Sequence, residues 1–416
     1  MNTITKWLND TLTPFTNKIS RNIWVQSIQN AIMISLPMIF VGSLISVLSL
    51  FKNIWPGMPD LSAVNQFSFG IFSIFIAFLL PYQVMEKKKN AKKKILAGFS
   101  SLGFFLMLIG IEFTDKGALL DFSRLGASGM LVAIFSGIFS ALIMLLFAKI
   151  SLFKEDTGVP EIVVSWFNNM IPISIILFSG YLLAYQLHFD FFKMVITFFG
   201  PITGFAQTLP GFIIICLFPV ILYSFGISSW IITPVTFTIC LGAIAANTEA
   251  VAQGLAATNI TTFEVIYCGW VFIGGQGSTL PLNILMLGAK SKKLKAISRA
   301  TLVPSIFNIN EPIVFGAPIA WNPILMIPMW INAIVIPTIV YLTLKNGLVS
   351  IPDKLFTMYT LPQPISTWLV SPGINSIILY LVVVVLLFAI WYPFFKVYDN
   401  LCVKEETENK GSEVII

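Results

Sequence analysis

The stretch Phe307-Asn308-Ile309-Asn310-Glu311-Pro312-Ile313-Val314-Phe315-Gly316 sets two amides, a carboxylate and a proline inside a long apolar run. A carboxylate at membrane depth costs about 3 kcal/mol on insertion scales, so an acid there is a functional candidate by default. Pro312 removes a backbone donor and disfavours a helical conformation at Glu311. Broken backbone in lipid is tolerated only where protein buries it or where it lines a cavity. The stretch is therefore read as the floor of a site for a polar solute.

The rest of the chain supplies the membrane that this reading needs. Of 416 residues, 56% are hydrophobic and 11% charged, against roughly 25% charged in soluble proteins. This composition makes a polytopic membrane protein. The net charge of +6 comes from short lysine clusters beside apolar runs, the pattern of cytoplasmic loops, and gives no reason to expect nucleic acid. Cys216, Cys240, Cys268 and Cys402 lack paired or metal-ligand spacing and are read as core residues where they lie in apolar segments. With His188 the only histidine, neither a histidine-rich metal site nor a choice of triads is available. No metal and no cofactor are expected. No cleavable signal peptide is read at the start.

Leu8, Leu12, Phe15 and Ile19 share one helical face, and Lys6, Lys18 and Arg21 make the segment basic. It is expected to lie on the cytoplasmic membrane surface. Spans are expected at 29–51, 68–85, 95–111, 128–150, 172–187, 211–227, 229–246, 263–287, 322–344 and 376–395. The runs 86–94 and 290–299 carry the strongest positive charge. The positive-inside rule makes both loops cytoplasmic, and ten crossings then leave both termini inside. Residues 160–170 read as an interfacial connector and 188–210 as an aromatic amphipathic segment. The proline-broken pieces 301–321 and 350–375 read as re-entrant. The expected fold is thus an all-α polytopic membrane protein of about ten transmembrane helices plus two re-entrant hairpins. It divides into an amphipathic N-terminal segment (1–28), a scaffold and dimerisation half (29–160), a connector (161–210), a transport half (211–397) and a polar, disordered cytoplasmic tail (398–416).

The candidates for chemistry follow from polar residues at membrane depth. Glu311 is an acceptor for a hydroxyl-rich solute and a potential proton acceptor, or else a loop carboxylate reaching the interface. Asn308 and Asn310 offer donors and acceptors that suit hydroxyls, or else cap broken helix ends. In Gly274-Gly275-Gln276-Gly277-Ser278-Thr279 the glycines permit close backbone approach; Gln276 and Thr279 are its polar candidates, and close helix packing is the structural alternative. Ser228 follows the glycine break at 225–227. Asn247 and Glu249 form a further polar group that an outer loop would equally explain. Trp368 either stacks on a ring or anchors an interface.

With these residues in view, Phe307–Pro312 and the following Ile313-Val314-Phe315-Gly316-Ala317-Pro318 resemble the signature of enzyme IIC, the membrane subunit of the lactose/cellobiose/diacetylchitobiose family of the bacterial phosphotransferase system. Similar blocks are the opening 7–50, Phe225-Gly226-Ile227, Val271-Phe272-Ile273-Gly274-Gly275, Ala289-Lys290-Ser291-Lys292 and Tyr392-Pro393-Phe394-Phe395. The resemblance covers nearly the whole chain. It implies a homodimer in the bacterial plasma membrane, ten helices with two re-entrant hairpins, and uptake of a disaccharide coupled to its phosphorylation. The donor it implies is a phosphocysteine on a separate IIB subunit, charged in turn by IIA. It also implies that Glu311 is the binding glutamate and Trp368 the sugar-contacting tryptophan. One departure stands out. Ser228 occupies the place of the family's usual histidine, and a serine cannot act as an imidazole. That substitution leaves two alternatives in other classes, an uncoupled sugar transporter and a non-transporting receptor or regulator.

Overall fold

The computed structural model describes residues 22–50, 57, 59–115, 117–148, 150, 160–226, 232–317 and 319–413. Most of the expected amphipathic N-terminal segment, and Ser228, lie outside them. The chain forms two compact units, Met1–Ile202 with Thr233–Thr238, and Thr203–Ile232 with Ile239–Ile416.

The first unit is built on Ile23–Leu50 (α1), Phe72–Lys87 (α2), Lys94–Leu108 (α3), Met130–Leu146 (α4) and Glu161–Tyr181 (α5). α2 packs on α1, α3 and α4, and α5 lies on α3 and α4. Small residues bring these helices together, as they must in lipid, where apolar burial gives little drive to associate. Ser136 Oγ donates to the Ser101 carbonyl at 2.7 Å across α3 and α4. The α3–α4 connection holds a short antiparallel hairpin, Glu112–Thr114 (β1) and Gly117–Leu119 (β2), a small exception to the all-helical expectation. Arg124 fastens this connection by donating to the Ile109 carbonyl at 3.0 Å and pairing with Asp121 and Asp190.

Phe191–Ala206 (α6) is followed by Leu209–Ser224 (α7), and Thr233–Ala252 (α8) leads into the second unit. The α6–α7 break is written locally: Thr208 accepts from the Gly211 N–H, and Pro210 sits in the first turn of α7, where its missing donor is harmless. The second unit continues with Leu280–Leu287 (α9), Lys292–Ile306 (α10), Glu311–Gly316 (α11), Pro323–Lys345 (α12), Gln363–Val370 (α13) and Ile374–Glu413 (α14). α12 packs on α7 and α14, and α9 on α10 and α14.

Among the described residues, six helices are long and apolar enough to cross a membrane, or seven if the bent α6–α7 pair is one span. Every expected span but one coincides with a helix. The exception is 263–287. It opens with a wide-turned π-helix, Glu264–Gly269, continues irregularly, and becomes α-helical only at α9. Its three glycines at 274, 275 and 277 all have positive φ, which a continuous helix cannot contain.

Three further expectations are corrected. Residues 161–170 are not an interfacial connector but the first half of α5, whose internal Pro172 leaves the helix continuous. The tail is not disordered, since α14 runs on to Glu413. Two of its carboxylates are spent on a turn of the chain. Asp399, 1% exposed, accepts from the N–H groups of Lys290 and Ser291. Glu406, two turns on, accepts from the Ser291 hydroxyl and the N–H groups of Lys292 and Lys293. These are the unpaired donors at the start of α10, where negative charge is favoured. Finally, Pro312 does not keep Glu311 out of a helix. Glu311 opens α11 with Pro312 in its first turn, the position at which proline is best tolerated.

Candidate functional site

The break in the opening stretch falls at Asn308, whose φ is +61°. Asparagine tolerates this left-handed conformation better than most residues. Its side chain is spent on backbone. Oδ1 accepts from the Gly274 N–H at 2.9 Å. Nδ2 donates to the carbonyls of Tyr359 at 2.7 Å and Leu361 at 3.0 Å. One amide thus joins three irregular segments, each with backbone groups that helix geometry leaves unpaired. Leaving them so would be costly at membrane depth.

The glycine loop meets the same stretch. Asn310 Nδ2 donates to the Gln276 carbonyl at 2.8 Å, and the Tyr223 hydroxyl reaches Asn310 Oδ1 at 3.4 Å. A Cβ on Gly275, whose φ is +94°, would stand 2.6 Å from Asn310 Cγ. Glycine is required there by both conformation and space. Thr279 is buried, and its hydroxyl donates to the Gly274 carbonyl at 2.9 Å. Gln276 is half-buried.

Glu311 stands apart from this bonding. Its side chain is exposed and makes no hydrogen bond or ion pair among the described residues. The fold therefore fixes the residues just before Glu311 through Asn308 and Asn310 and leaves its carboxylate unspent.

The proline-rich piece 350–375 closes the group. Gln363 and Thr367 donate to the Gly269 carbonyl and Ser366 to that of Cys268. α13 is thereby fixed to the π-helix, with Trp368 projecting from it, 47% exposed. Among the described residues no three His, Cys, Asp or Glu side chains come together to hold a metal.

Comparison with known proteins decides what this arrangement belongs to. Residues 29–333 match the family described as "Phosphotransferase system, EIIC". The chain belongs to the EIIC family. The cellobiose-specific EIIC component of Geobacillus stearothermophilus is 29% identical to this EIIC chain, over 98% of it and 96% of that relative. The lactose-specific EIICB component of Staphylococcus haemolyticus is 26% identical over 99% of this chain and 73% of its own. The crystal structure of ChbC, the IIC component of the N,N'-diacetylchitobiose-specific phosphotransferase system, superposes with a TM-score of 0.85 at 26% identity. The match covers 96% of this chain and 99% of that one. The protein is a sugar permease of the phosphotransferase system, integral to the plasma membrane.

The remaining candidates of this EIIC protein are placed as follows. Asn247 is fully buried. It accepts from the N–H groups of Thr258 and Asn259 and donates to the carbonyls of Asn259 and Pro352. Glu249 is exposed and accepts from Gln253 one turn on in α8. Sequence reading passed over Tyr223 and Tyr359, and tyrosines in apolar runs carry little signal by themselves. It also passed over Glu264, a carboxylate in the apolar run Phe263-Glu264-Val265-Ile266-Tyr267. The rule that drew attention to Glu311 applies to it equally.

Proposed function

We propose that this EIIC protein takes up a disaccharide of the cellobiose, lactose or diacetylchitobiose kind and presents it to phosphorylated IIB, itself charged by IIA, on the cytoplasmic side. The observation that carries this reading is Glu311, an exposed, unspent carboxylate that follows directly on backbone tied down by Asn308 and Asn310. A carboxylate so placed accepts a hydrogen bond from a sugar hydroxyl and can take its proton as that oxygen attacks the phosphocysteine of IIB. The new P–O bond forms as the P–S bond breaks, and the thiolate leaves with IIB. Asn308 and Asn310 hold the floor, Thr279 the glycine loop, and Gln276 lies at its edge. The half-exposed indole of Trp368 supplies a face for a sugar ring. The names of the cellobiose-, lactose- and diacetylchitobiose-specific relatives support the substrate class, and the EIICB relative supports the IIB partner. Both termini are placed in the cytoplasm on the strength of the two lysine clusters, and two copies associate in the lipid bilayer through the 29–160 half.

The test is uptake of labelled cellobiose, lactose and diacetylchitobiose by vesicles supplied with phosphoenolpyruvate and the soluble phosphotransferase proteins. The expected product is intravesicular sugar phosphate from wild type and none from Glu311→Gln. Accumulation of free sugar by wild type would overturn the coupling, and undiminished phosphorylation by Glu311→Gln would overturn the site.

A further inference from the structure

Glu264 is fully buried in the π-helix of the second unit, outside the spans recognised by length and apolarity. Its Oε1 accepts from the Phe356 N–H at 2.9 Å, while Oε2 has no hydrogen-bond partner within 3.5 Å among the described residues. One turn on, the Cys268 thiol donates to the Phe356 carbonyl at 3.4 Å. The Phe356 residue is thus held at both its polar backbone atoms. The segment it belongs to is held along its length by side chains. Asn247 takes the carbonyl of Pro352, Thr248 that of Asp353, and Asn308 those of Tyr359 and Leu361. Residues 352–361 are therefore docked through five carbonyls and one N–H, and Glu264 is the ionisable group on that N–H. The same segment carries Tyr359, whose carbonyl is held by Asn308, three residues before Glu311.

The groups facing Glu264 include no cation. The π-helix contributes Tyr267 and Cys268, α8 contributes Cys240, and α13 has no titratable residue. On the docked segment Asp353 is half-buried and Lys354 exposed. No ion pair joins Glu264 to a described residue. A buried carboxylate with only neutral donors around it and no counter-ion is far costlier than the same group protonated.

We propose that Glu264 is a positioning residue of the sugar site, which docks the 352–361 segment as a neutral acid and releases it on ionising. The consequence for sugar rests on the reading of Glu311 given above; the docking itself does not. The sign follows from the proton. The docked state binds it, so docking is complete at low pH and is lost as pH rises.

The test is amide hydrogen exchange of the peptide containing Phe356, in the full chain in detergent micelles without sugar. It is measured from about pH 5 to about pH 9 and corrected for intrinsic exchange. In wild type, protection is expected to fall by up to about tenfold for each pH unit on the alkaline side, as one proton is released. Glu264→Gln, which keeps the acceptor and cannot ionise, is expected to stay protected throughout, and Glu264→Ala to be unprotected throughout. Superimposable profiles for wild type and Glu264→Gln would overturn the proposal, whether or not Glu264→Ala folds. So would a Glu264→Gln protein as unprotected as the alanine variant. Cellobiose affinity measured in parallel is expected to fall with protection in wild type and to stay level in Glu264→Gln. Loss of protection without any cellobiose binding at any pH would leave the docking intact and refute the sugar reading alone.

Discussion

Replacing Asn308 separates two roles that an amide near a sugar site can have. Asn308→Ala deprives three backbone groups of their partners, the buried Gly274 N–H and the half-buried carbonyls of Tyr359 and Leu361. A buried polar group left unsatisfied costs about 1–3 kcal/mol. With each taken near the lower bound, the loss is about 3 kcal/mol. The backbone at φ +61° adds about 1 kcal/mol for an alanine Cβ in the left-handed region. At about 2–4 °C per kcal/mol for a cooperative unit of this size, the melting temperature should fall by about 10 °C. Asn308→Gly forfeits the same bonds without the left-handed strain, so it should melt a few degrees above the alanine variant. Asn308→Asp can still accept from Gly274 but, when ionised, turns an oxygen on two carbonyls. Its neutral form can donate to one of them. Burial raises the pKa of such an acid, so the aspartate variant should be most stable at low pH and lose that stability as pH rises. The assay is thermal unfolding in detergent micelles, with cellobiose binding measured beside it. An alanine variant that melts with wild type yet fails to bind sugar would refute the reasoning, because Asn308 would then be contacting the solute and not the backbone.

Gly275→Ala places a Cβ 2.6 Å from Asn310 Cγ at φ +94°, whereas Gly347→Ala, at φ +70°, meets nothing within 4 Å. Both pay about 1 kcal/mol of backbone strain, so the larger fall in melting temperature and the loss of cellobiose binding should be confined to Gly275→Ala. Trp368→Ala should weaken cellobiose binding by about tenfold, from a stacking loss of about 1–1.5 kcal/mol, with Trp368→Phe intermediate and neither changing the melting temperature. Asp399→Ala combined with Glu406→Ala frees the start of α10 and should expose α14 beyond Tyr398 to protease. Unchanged cleavage would mean that the two carboxylates do not hold the helix end.

Most of the architecture could be read from the chain itself. The lysine run 86–94 marked a turn between helices, whereas the run 290–299 falls largely within α10, and several prolines lie inside helices. What failed was the segment 263–287, read as a span because its average hydropathy is high. Three positive-φ glycines and a wide helical turn at Glu264 break it, and no average registers them. The tail misled for a related reason. Its acids look solvated in one dimension, but Asp399 and Glu406 fall on one face of a helix, opposite unpaired N–H groups of a turn more than a hundred residues earlier in the chain.

The polar residues at membrane depth show the division most clearly. Sequence alone determined that the helix must break around 307–310 and 274–279, because glycine and asparagine favour other conformations there and lipid cannot solvate the backbone they expose. It could not determine which polar side chains are spent on that exposed backbone and which remain available to a ligand. Asn247, Asn308 and Asn310 are consumed in bonding segments distant in the chain and Thr279 within its own loop, whereas Glu311 is left unspent. Only the tertiary structure decides this, because each hydrogen-bond donor or acceptor is satisfied by whatever group the fold brings within about 3 Å of it.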